Sequence, residues 1–258
     1  MDIIKSKDNS KIKYIRNLKG KKFRDQENAF LVEGIKFVKE AIAEKSKIKF
    51  LLISEKVINK NVVKELLTGD ITYFVSAESV FNSVSDTVTS QGIIAVVNKT
   101  THKIEEVLNT YNFIVFCDRI QDPGNLGTVI RTAEALGPAA LVLNKGCVDI
   151  YSPKVVRASA GAIFRVPFIY GEEDFIDFLK EQGFYIVSTV VDSELSFEDM
   201  EKQEKICLII GNEGQGVSRG ITSKSHMEIT IKMTGRAESL NASVAAGISI
   251  YEIRKKLL

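Results

Sequence analysis

Two five-residue runs toward the C-terminal part of the chain consist entirely of large apolar residues, and no other feature constrains the fold as much. The runs are FIVFC at residues 113–117 and ICLII at residues 206–210. A strand that is apolar on both faces must be covered on both faces, as strands are inside a parallel sheet. Strand and helix patterns alternate between these runs. The sequence therefore predicts an α/β unit with a mainly parallel, doubly covered sheet.

Hydrophobic periodicity and helix-ending residues predict the other elements of this part of the chain. We expect further strands at residues 139–143, 165–169, 184–191 and 228–233, and helices at residues 126–136, 152–160 and 174–182. Gly137 and Pro138 are expected to end the first of these helices. A last helix follows residue 241, and its apolar face is wider than one core-facing stripe requires. The residues of that face are Ala246, Ile250, Ile253 and Leu257, with Val244, Ile248 and Tyr251 beside them.

A shorter alternation of elements fills residues 29–97. We expect strands at 29–32, 50–54, 71–75 and 92–97, and helices at 34–44, 61–67 and 77–84. This region contains no cluster of catalytic side chains, so its predicted role is binding. We place a small α/β domain at residues 1–98, a polar linker at 99–112 and the second domain at 113–258.

The first 24 residues carry nine lysines and arginines against Asp2 and Asp8, whereas the whole chain of 258 residues has a net charge of only +2. Apolar residues, among them Ile12, Ile15 and Leu18, stand between the cations. This interleaving predicts a partly ordered basic arm that contacts the phosphate backbone of a nucleic acid. The alternative is a plain solvated face.

The remaining composition narrows the class of protein. No apolar run approaches the roughly 20 residues of a membrane-spanning helix, and the N-terminus lacks the apolar core of a secretory signal. Cys117, Cys147 and Cys207 are odd in number and lie in or beside apolar runs, which is typical of a reducing cytoplasm. Neither His102 nor His226, the only histidines, lies in a metal-ligand spacing. We expect a cytoplasmic protein without a metal site and without a Ser-His-Asp triad.

The apolar run at 206–210 is followed by a loop with glycines at positions 211, 214 and 216. Glycines let a ligand approach the main chain closely. The order G-x-x-G-x-G is neither GxGxxG nor GxxxxGK[ST], so a phosphate cradle is not indicated. A ligand with a base and a sugar but no phosphate, such as S-adenosylmethionine, suits this loop better. The alternative is a glycine-rich turn between core elements.

Polar side chains accompany three separated loops of the predicted second domain. Asn125 and Arg131 lie about two turns apart at the start of the helix after the first apolar run. Glu213 lies in the glycine loop, and Ser239 and Asn241 precede the last helix, where either is a good N-cap. Taken singly, each has a structural explanation as a cap or as a member of an Arg131–Glu213 ion pair.

Together, and in this order, the three segments resemble the motifs of the SpoU/TrmH family, which belongs to the SPOUT class of RNA methyltransferases. The segments are DPGNLGTVIRTAEALG, IIGNEGQGVS and IKMTGRAESLNASVAAGISIYE. The intervening YSPKVVRASAGAIFRVPF is also similar to the family, so the resemblance covers residues 113–258. The N-terminal part resembles, less specifically, the ribosomal-protein-like RNA-binding domain of many rRNA-modifying members. Pro138 departs from the small or acidic residue that the family more often has there.

The resemblance implies a methyl transfer from S-adenosylmethionine to a ribose 2′-hydroxyl in RNA, with 23S rRNA favoured. It implies a deep trefoil knot in the C-terminal segment and a homodimer packed through the last helix, where the small run at 245–247 fits close packing. The cofactor contacts that it implies, mostly through backbone groups, are Gly211, Asn212, Ile231, Met233 and Leu240. The catalytic residues that it implies are Asn125, Arg131, Glu213, Ser239 and Asn241.

The difficult step is the activation of the nucleophile, because a ribose hydroxyl is almost wholly protonated at neutral pH. Either a base must take its proton or a cation must stabilise the developing alkoxide. The resemblance makes Arg131 the key group, but a guanidinium has a pKa above about 12. We therefore interpret Arg131 as an electrostatic stabiliser and phosphate anchor, kept charged by a nearby Glu213. The other catalytic residues would orient Arg131, the ribose and the cofactor.

Two alternatives remain open at this point. One is a tRNA ribose or base methyltransferase of the same class, although an extra N-terminal domain favours rRNA. The other is a non-catalytic RNA-binding factor of ribosome assembly, for which the complete polar set would be unnecessary.

Overall fold

The computed structural model describes residues 2–67, 69–137 and 139–258. The chain forms two compact units. The first contains the residues up to Thr100 together with Asp149–Phe164, and the second contains Thr101–Val148 together with Arg165–Leu258. The sequence predicts that all of residues 113–258 belong to the second domain, and the segment Asp149–Phe164 differs from that prediction.

The elements are numbered in chain order. The strands are β1 (Ile3–Ile4), β2 (Ala29–Glu33), β3 (Ile48–Ser54), β4 (Tyr73–Ser76), β5 (Ile93–Asn98), β6 (Phe113–Cys117), β7 (Ala140–Leu143), β8 (Phe168–Tyr170), β9 (Tyr185–Thr189), β10 (Ile206–Ile210) and β11 (Met227–Ile229). The helices are α1 (Ser10–Asn17), α2 (Lys21–Glu27), α3 (Ile35–Ala43), α4 (Asn61–Leu66), α5 (Glu78–Asn82), α6 (Ile104–Thr110), α7 (Pro123–Ala135), α8 (Pro153–Ala158), α9 (Phe175–Glu181), α10 (Arg219–Thr222) and α11 (Ala242–Arg254).

A mixed sheet in the order β1-β4-β3-β5-β2 forms the centre of the first unit. β4 pairs in parallel with β1 and β3, whereas β5 is antiparallel to both β3 and β2. The strands and helices predicted for residues 29–97 are all present, with ends that differ by at most two residues. The expectation of a small α/β domain in this part of the chain is therefore confirmed.

The predicted partial order of the basic N-terminal segment is wrong, because residues 10–17 and 21–27 form α1 and α2; its contact with RNA phosphates stays a prediction. Ile12, Ile15 and Leu18 recur with helical spacing and are completely buried in the core of the first unit. Burying one aliphatic side chain contributes about 1.5–3 kcal/mol, so three of them hold α1 firmly. Asn9 caps this helix by accepting a hydrogen bond from Lys11 N at 2.9 Å. The cations interleaved with these residues project from an ordered helix surface.

The segment Asp149–Phe164 belongs to the first unit because its polar and aromatic side chains bond there. Arg24 Nη2 lies 2.7 Å from Asp149 Oδ2, and both side chains are almost fully buried. The ring of Tyr151 lies 4.5 Å from that of Phe30 between centroids, and its hydroxyl donates to Thr100 O at 3.1 Å. Removing one partner of a buried ion pair costs about 3–5 kcal/mol. Arg24 is therefore a structural residue and not a free cation of the basic surface.

The sheet of the second unit is entirely parallel, as predicted, in the order β11-β9-β10-β6-β7-β8. β6 and β10, the two all-apolar runs, lie side by side at its centre and have the predicted bounds. From β6 the chain adds β7 and β8 on one side, whereas β9 and β11 lie on the other. In open α/β sheets such a reversal of strand order leaves a crevice at the carboxyl ends of the strands.

Several boundaries in the second unit differ from the sequence expectations, and the largest differences are at β11, β8 and α7. β11 ends at residue 229 and not at 233, since its only neighbour, β9, ends at Thr189. β8 covers Phe168–Tyr170, where we expected 165–169. α7 begins three residues early, because Asp122 caps it and Pro123 is suited to a first helical position. Its C-terminal turn reaches Gly137, whose φ is +123°; Pro138 lies outside the described residues.

The C-terminus returns to the segment before β10. Gln203 N donates to Lys256 O at 2.8 Å, and Leu258 N donates to Gln203 O at 3.1 Å. The trefoil knot that the resemblance implies stays a prediction. In the described ranges, no helix combines the length and the apolar character that crossing a membrane requires.

Candidate functional site

A cavity of about 510 Å³ opens at the carboxyl ends of β9, β10 and β11. Its size is typical of small-molecule sites, which span about 300–1,000 Å³. Three segments line it: residues 189–191 after β9, residues 210–217 after β10, and residues between 230 and 245. The predicted cofactor residues Gly211, Asn212, Ile231, Met233 and Leu240 all line it, as do Glu213 and Ser239. The fold thus brings three separate segments of the sequence to one cavity.

Gly211, directly after β10, is the point at which the glycine loop turns back on itself. A Cβ atom on Gly211 would lie 2.2 Å from both Gly216 C and Val217 N, which is closer than real Cβ atoms come to backbone. Asn212 and Gly216 exchange two backbone hydrogen bonds of 3.0 Å that close the loop. The absence of a side chain at position 211 is therefore a condition of the loop's shape.

The side chain of Asn212 stabilises the same loop from inside. Its Oδ1 accepts hydrogen bonds from Gly214 N at 2.9 Å and from Gln215 N at 3.0 Å. Its Nδ2 donates to Arg119 O at 2.9 Å. Asn212 therefore lines the cavity and also fixes the backbone that surrounds it, as Asn side chains commonly do in turns.

Glu213, Asn125 and Asn241 form a continuous hydrogen-bonded chain that joins the three sequence motifs. Asn125 Nδ2 donates to Glu213 Oε1 at 3.0 Å, and Asn241 Nδ2 donates to Asn125 Oδ1 at 3.0 Å. Asn241 also caps α11, because its Oδ1 accepts from Ser243 N at 2.9 Å and from Val244 N at 3.4 Å. One amide, that of Asn125, therefore fixes the orientation of groups from the loops after β6, β10 and β11.

The carboxylate of Glu213 is surrounded by donors. In addition to Asn125, it accepts hydrogen bonds from the backbone N–H groups of Asp122 at 3.2 Å and Gln121 at 3.4 Å. Burial alone would raise the pKa of Glu213, but the hydrogen bonds from Asn125 and from backbone groups lower it below its ordinary value. Glu213 is thus an ionised acceptor that holds the start of α7 against the glycine loop.

Arg131 lies elsewhere, on the exposed surface of α7. Its guanidinium forms no ion pair or hydrogen bond with any described residue, and it is not among the residues that line the cavity. The expected pairing of Glu213 with Arg131 does not form, and the Glu213 oxygens instead accept from Asn125 and from the backbone just before α7. Arg131 is therefore available to a group from outside the chain.

Ser239 lies at the exposed rim of the cavity, one residue before Leu240. The sequence analysis did not single out Thr189, Val190 and Val191, which form one wall, or Thr230 and Glu238. The signal that could have found the wall is its location directly after β9, where a parallel sheet presents its ligand-binding edge.

The cavity fits the S-adenosylmethionine that the resemblance implies. Within the described residues, the main chain of 231–240 makes no hydrogen bond, so its N–H and C=O groups are free to bind a base and sugar hydroxyls. Met233 and Leu240 are partly exposed apolar side chains beside it. The described lining includes Glu213 and Glu238 but no lysine or arginine, which suits a ligand with positive charge and without phosphate.

Comparison with known proteins agrees with this geometry. Residues 112–251 match the model of the SpoU rRNA Methylase family, and residues 9–95 match that of the MRM3-like substrate binding domain. A curated relative, the 23S rRNA (guanosine(2553)-2′-O)-methyltransferase RlmP of Bacillus subtilis, is 36% identical over 255 residues. That alignment covers 98% of this chain and 100% of the relative.

Two similar crystal structures contain the cofactor. The AdoMet-bound rRNA methyltransferase from Sinorhizobium meliloti has a TM-score of 0.87 at 29% identity and covers 100% of this chain and 98% of its own. The SpoU methyltransferase AviRb from Streptomyces viridochromogenes, in complex with AdoMet, has a TM-score of 0.87 at 27% identity, with coverages of 96% and 98%.

The family model covers more than half of the chain, and the relative from B. subtilis aligns with it almost end to end. The resemblance that the three polar segments indicated is therefore confirmed, and so is the predicted α/β class with a mainly parallel sheet. The chain belongs to the SpoU rRNA methylase family.

Proposed function

We propose that this protein methylates a ribose 2′-hydroxyl of ribosomal RNA, with S-adenosylmethionine as the methyl donor and 23S rRNA as the substrate. The observation that supports this most strongly is the Glu213–Asn125–Asn241 chain, which joins three loops beside a cavity suited to the cofactor. A protein that only bound RNA would not need this arrangement. The relatives named above, an rRNA 2′-O-methyltransferase and two AdoMet-bound methyltransferases, support the same activity.

The protein's chemical task lies at the ribose oxygen, because bound S-adenosylmethionine supplies an already activated methyl group. Arg131 has no partner among the described residues, so its guanidinium can face the RNA. There it stabilises the negative charge that develops on the 2′-oxygen while the proton leaves late, to water. It does not act as a base, because a guanidinium stays protonated at any physiological pH.

The polar chain gives the reaction its geometry. Glu213 fixes Asn125 and the first turn of α7, the helix that carries Arg131, while Asn241 fixes the first turn of α11. Ser239 and Leu240 directly precede that turn at the cavity rim. Positioning of this kind can contribute several kcal/mol to a rate enhancement. In this proposal Asn125, Glu213, Ser239 and Asn241 position the reactants, and Gly211, Asn212, Ile231, Met233 and Leu240 bind the cofactor.

A labelling experiment tests the activity and the class of RNA. Purified protein is incubated with S-adenosylmethionine labelled in the methyl group and with either unmodified 23S rRNA or unmodified tRNA. The proposal requires label in the rRNA. Label in tRNA alone would identify a tRNA enzyme, and cofactor binding without label in either RNA would identify the non-catalytic alternative. An rRNA enzyme of this kind would work in the cytoplasm.

We further infer that α1 and α2 bind the RNA phosphate backbone. Lys13 and Arg16 on α1, and Lys21 and Lys22 at the start of α2, have exposed side chains. Lys21 and Lys22 form no ion pair within the described residues, so they would release counterions when phosphate replaces solvent ions. The match to a substrate binding domain over residues 9–95 supports this assignment.

We expect the double substitution Lys21→Glu and Lys22→Glu to weaken RNA binding about ten-fold or more at low salt, because two phosphate contacts become repulsive. The slope of log K against log salt should become shallower by roughly 1.5 to 2. Cofactor affinity should not change. The measurement is a filter-binding titration at several salt concentrations.

The matched control carries Lys64→Glu on α4, an exposed cation of the same unit that lies outside the α1–α2 surface. It should leave the salt slope close to that of the wild type. An unchanged slope in the Lys21–Lys22 variant would place the RNA-binding surface elsewhere. Deleting residues 1–98, which the predicted domain boundary suggests, is a poor test because it removes Arg24 and Phe30, the partners of Asp149 and Tyr151.

We also infer a homodimer that packs through α11. Val244, Ile248 and Tyr251 repeat at i, i+4 and i+7 on this helix and are 50%, 39% and 54% exposed. Such a stripe suits a symmetric interface that uses one patch twice. Ile250, which the sequence pattern places on the apolar face of the same helix, is 0% exposed and belongs to the core. The small residues also face inward: a Cβ on Gly247 would lie 3.8 Å from Thr132 of α7.

We expect Ile248→Glu to convert a dimer into a monomer and to lower methyl transfer about ten-fold, because a buried unpaired charge opposes the interface. Phe178→Glu, on α9, is the control, since it charges another partly exposed apolar residue of the same unit. Sedimentation velocity at low micromolar concentration gives the oligomeric state. A fully active wild-type monomer under these conditions would rule out the dimer.

A further inference from the structure

An arginine outside the cavity holds the glycine loop in place. Arg119 Nη1 donates to Gln215 Oε1 at 2.9 Å, and its Nη2 approaches Gly216 O at 3.4 Å. The backbone carbonyl of Arg119 accepts from Asn212 Nδ2 at 2.9 Å. Three residues of the loop, Asn212, Gln215 and Gly216, are therefore bonded to one residue that does not itself line the cavity.

Asp118 fixes the arginine in turn. This aspartate directly follows β6 and is 0% exposed. Its Oδ1 accepts from Arg119 Nε at 3.2 Å and from Asn144 Nδ2 at 2.7 Å. Its Oδ2 accepts from Ser218 N at 2.8 Å and from Arg119 Nη2 at 3.3 Å. The carboxylate thus holds the guanidinium and also the residue at which the glycine loop ends.

The backbone conformation of Arg119 favours its contact with the glycine loop. Arg119 has a φ of +57°, a left-handed conformation that non-glycine residues rarely adopt. Residues held in such conformations persist where the surroundings over-determine them, often at functional sites. Gly146 leaves room for the arginine, because a Cβ there would lie 3.0 Å from Arg119 Cγ. The left-handed turn directs the guanidinium back under residues 215 and 216.

We propose that Arg119, held by Asp118, is a positioning residue that keeps residues 211–217 in the conformation that binds the cofactor. It sets cofactor affinity without touching the cofactor. The proposal rests on the proposed function, since it takes this cavity as the S-adenosylmethionine site. Any ligand of the loop would depend on the same clamp, but the cofactor is the one that the lining fits.

The test compares Arg119→Ala and Arg119→Lys with Arg165→Ala. Lysine keeps the charge, but its single ammonium group cannot reproduce the planar fork that reaches Asp118, Gln215 and Gly216 together. Arg165 is the matched control, because it is a 30% exposed arginine that donates to Glu134 at 3.0 Å in the same unit. Arg119 is likewise 30% exposed.

Cofactor affinity is measured by titration calorimetry, and loop order by amide hydrogen exchange. We expect Arg119→Ala to raise the cofactor Kd about ten-fold or more, Arg119→Lys to raise it less, and Arg165→Ala to leave it unchanged. Exchange should accelerate in residues 211–217 while β10 stays protected. At saturating cofactor, kcat of Arg119→Lys should return to nearly the wild-type value, which general unfolding would not allow.

The clamp is refuted if either folded Arg119 variant binds the cofactor as tightly as the wild type, or if exchange accelerates equally in β10 and in the loop. Should Arg119→Ala not fold, Arg119→Lys decides the question by the same two measurements. A wild-type protein that does not bind S-adenosylmethionine at all would instead overturn the proposed function. The two failures are therefore distinct.

Discussion

Arg131→Ala is expected to lower kcat for methyl transfer by about 100-fold or more, because removing a charge-stabilising donor typically costs that much. Its cofactor affinity should stay close to that of the wild type, since Arg131 does not line the cavity. Its stability should also be unchanged, because the side chain is exposed and has no bonded partner among the described residues. Single-turnover methylation with saturating cofactor measures the rate, and calorimetry measures the affinity.

Arg131→Lys separates the two roles proposed for this residue. Lysine keeps the positive charge but presents a point charge and not a planar fork. We expect partial recovery of RNA affinity with a rate still well below that of the wild type. If Arg131→Ala retained the wild-type rate on its RNA, the assignment of the catalytic group would be wrong.

Gly211→Ala is expected to remove measurable cofactor binding, a loss of about 100-fold or more in affinity, because a Cβ 2.2 Å from two backbone atoms must displace the loop. Backbone cannot move aside as a flexible side chain can, and the displaced segment includes Gly216 and Val217, which line the cavity. Gly214→Ala is the matched control in the same loop. The closest atom to a Cβ there is Asn212 Oδ1 at 3.8 Å, an ordinary contact.

The comparison is made by calorimetry with S-adenosylmethionine. Gly214→Ala should bind within a few-fold of the wild type, since nothing has to move. Equal affinities for both alanine variants would mean that the shape of residues 211–217 does not determine cofactor binding. That result would also remove the basis of the Arg119 clamp.

The central sheet of the second unit could be predicted from the sequence because its two central strands, β6 and β10, are apolar on both faces. β6 and β10 have the predicted bounds, and few other structures allow five consecutive apolar residues to be buried. The basic arm shows where such reasoning fails. Ile12, Ile15 and Leu18 have helical spacing, and their burial stabilises a helix in spite of the many cations around them. A high local charge alone therefore does not indicate partial order.

The sequence could predict which residues belong to the candidate site, but not which of them form hydrogen bonds with each other. The spacing of Asn125, Glu213 and Asn241 says nothing about which of their atoms meet, because this depends on the order of the strands. It is the adjacency of β6 and β10 that lets Glu213 bond to Asn125 and to the backbone just before α7, while Arg131 bonds to none of the described residues. The clamp by Asp118 and Arg119 was equally hidden, since its partners lie about a hundred residues away in the sequence.

The sequence shows that the apolar face of α11 is wide. It does not show which of these apolar residues are buried in the core and which remain exposed. Ile250 and Ala246 pack in the core of the chain, whereas Val244, Ile248 and Tyr251 remain exposed. Periodicity alone cannot assign the sides, because both stripes recur with the same spacing. Only the location of α7 beside Gly247 shows which side faces inward.

The most direct test of the central claim maps methylation in unmodified 23S rRNA after treatment with the wild-type protein or with Arg131→Ala. A methylated 2′-oxygen cannot attack the neighbouring phosphodiester, so the modified nucleotide becomes resistant to alkaline cleavage. The account predicts a new resistant position with the wild type and none with Arg131→Ala. A cofactor-bound wild type that leaves the alkaline ladder unchanged, or that places its methyl group on a base, would contradict it.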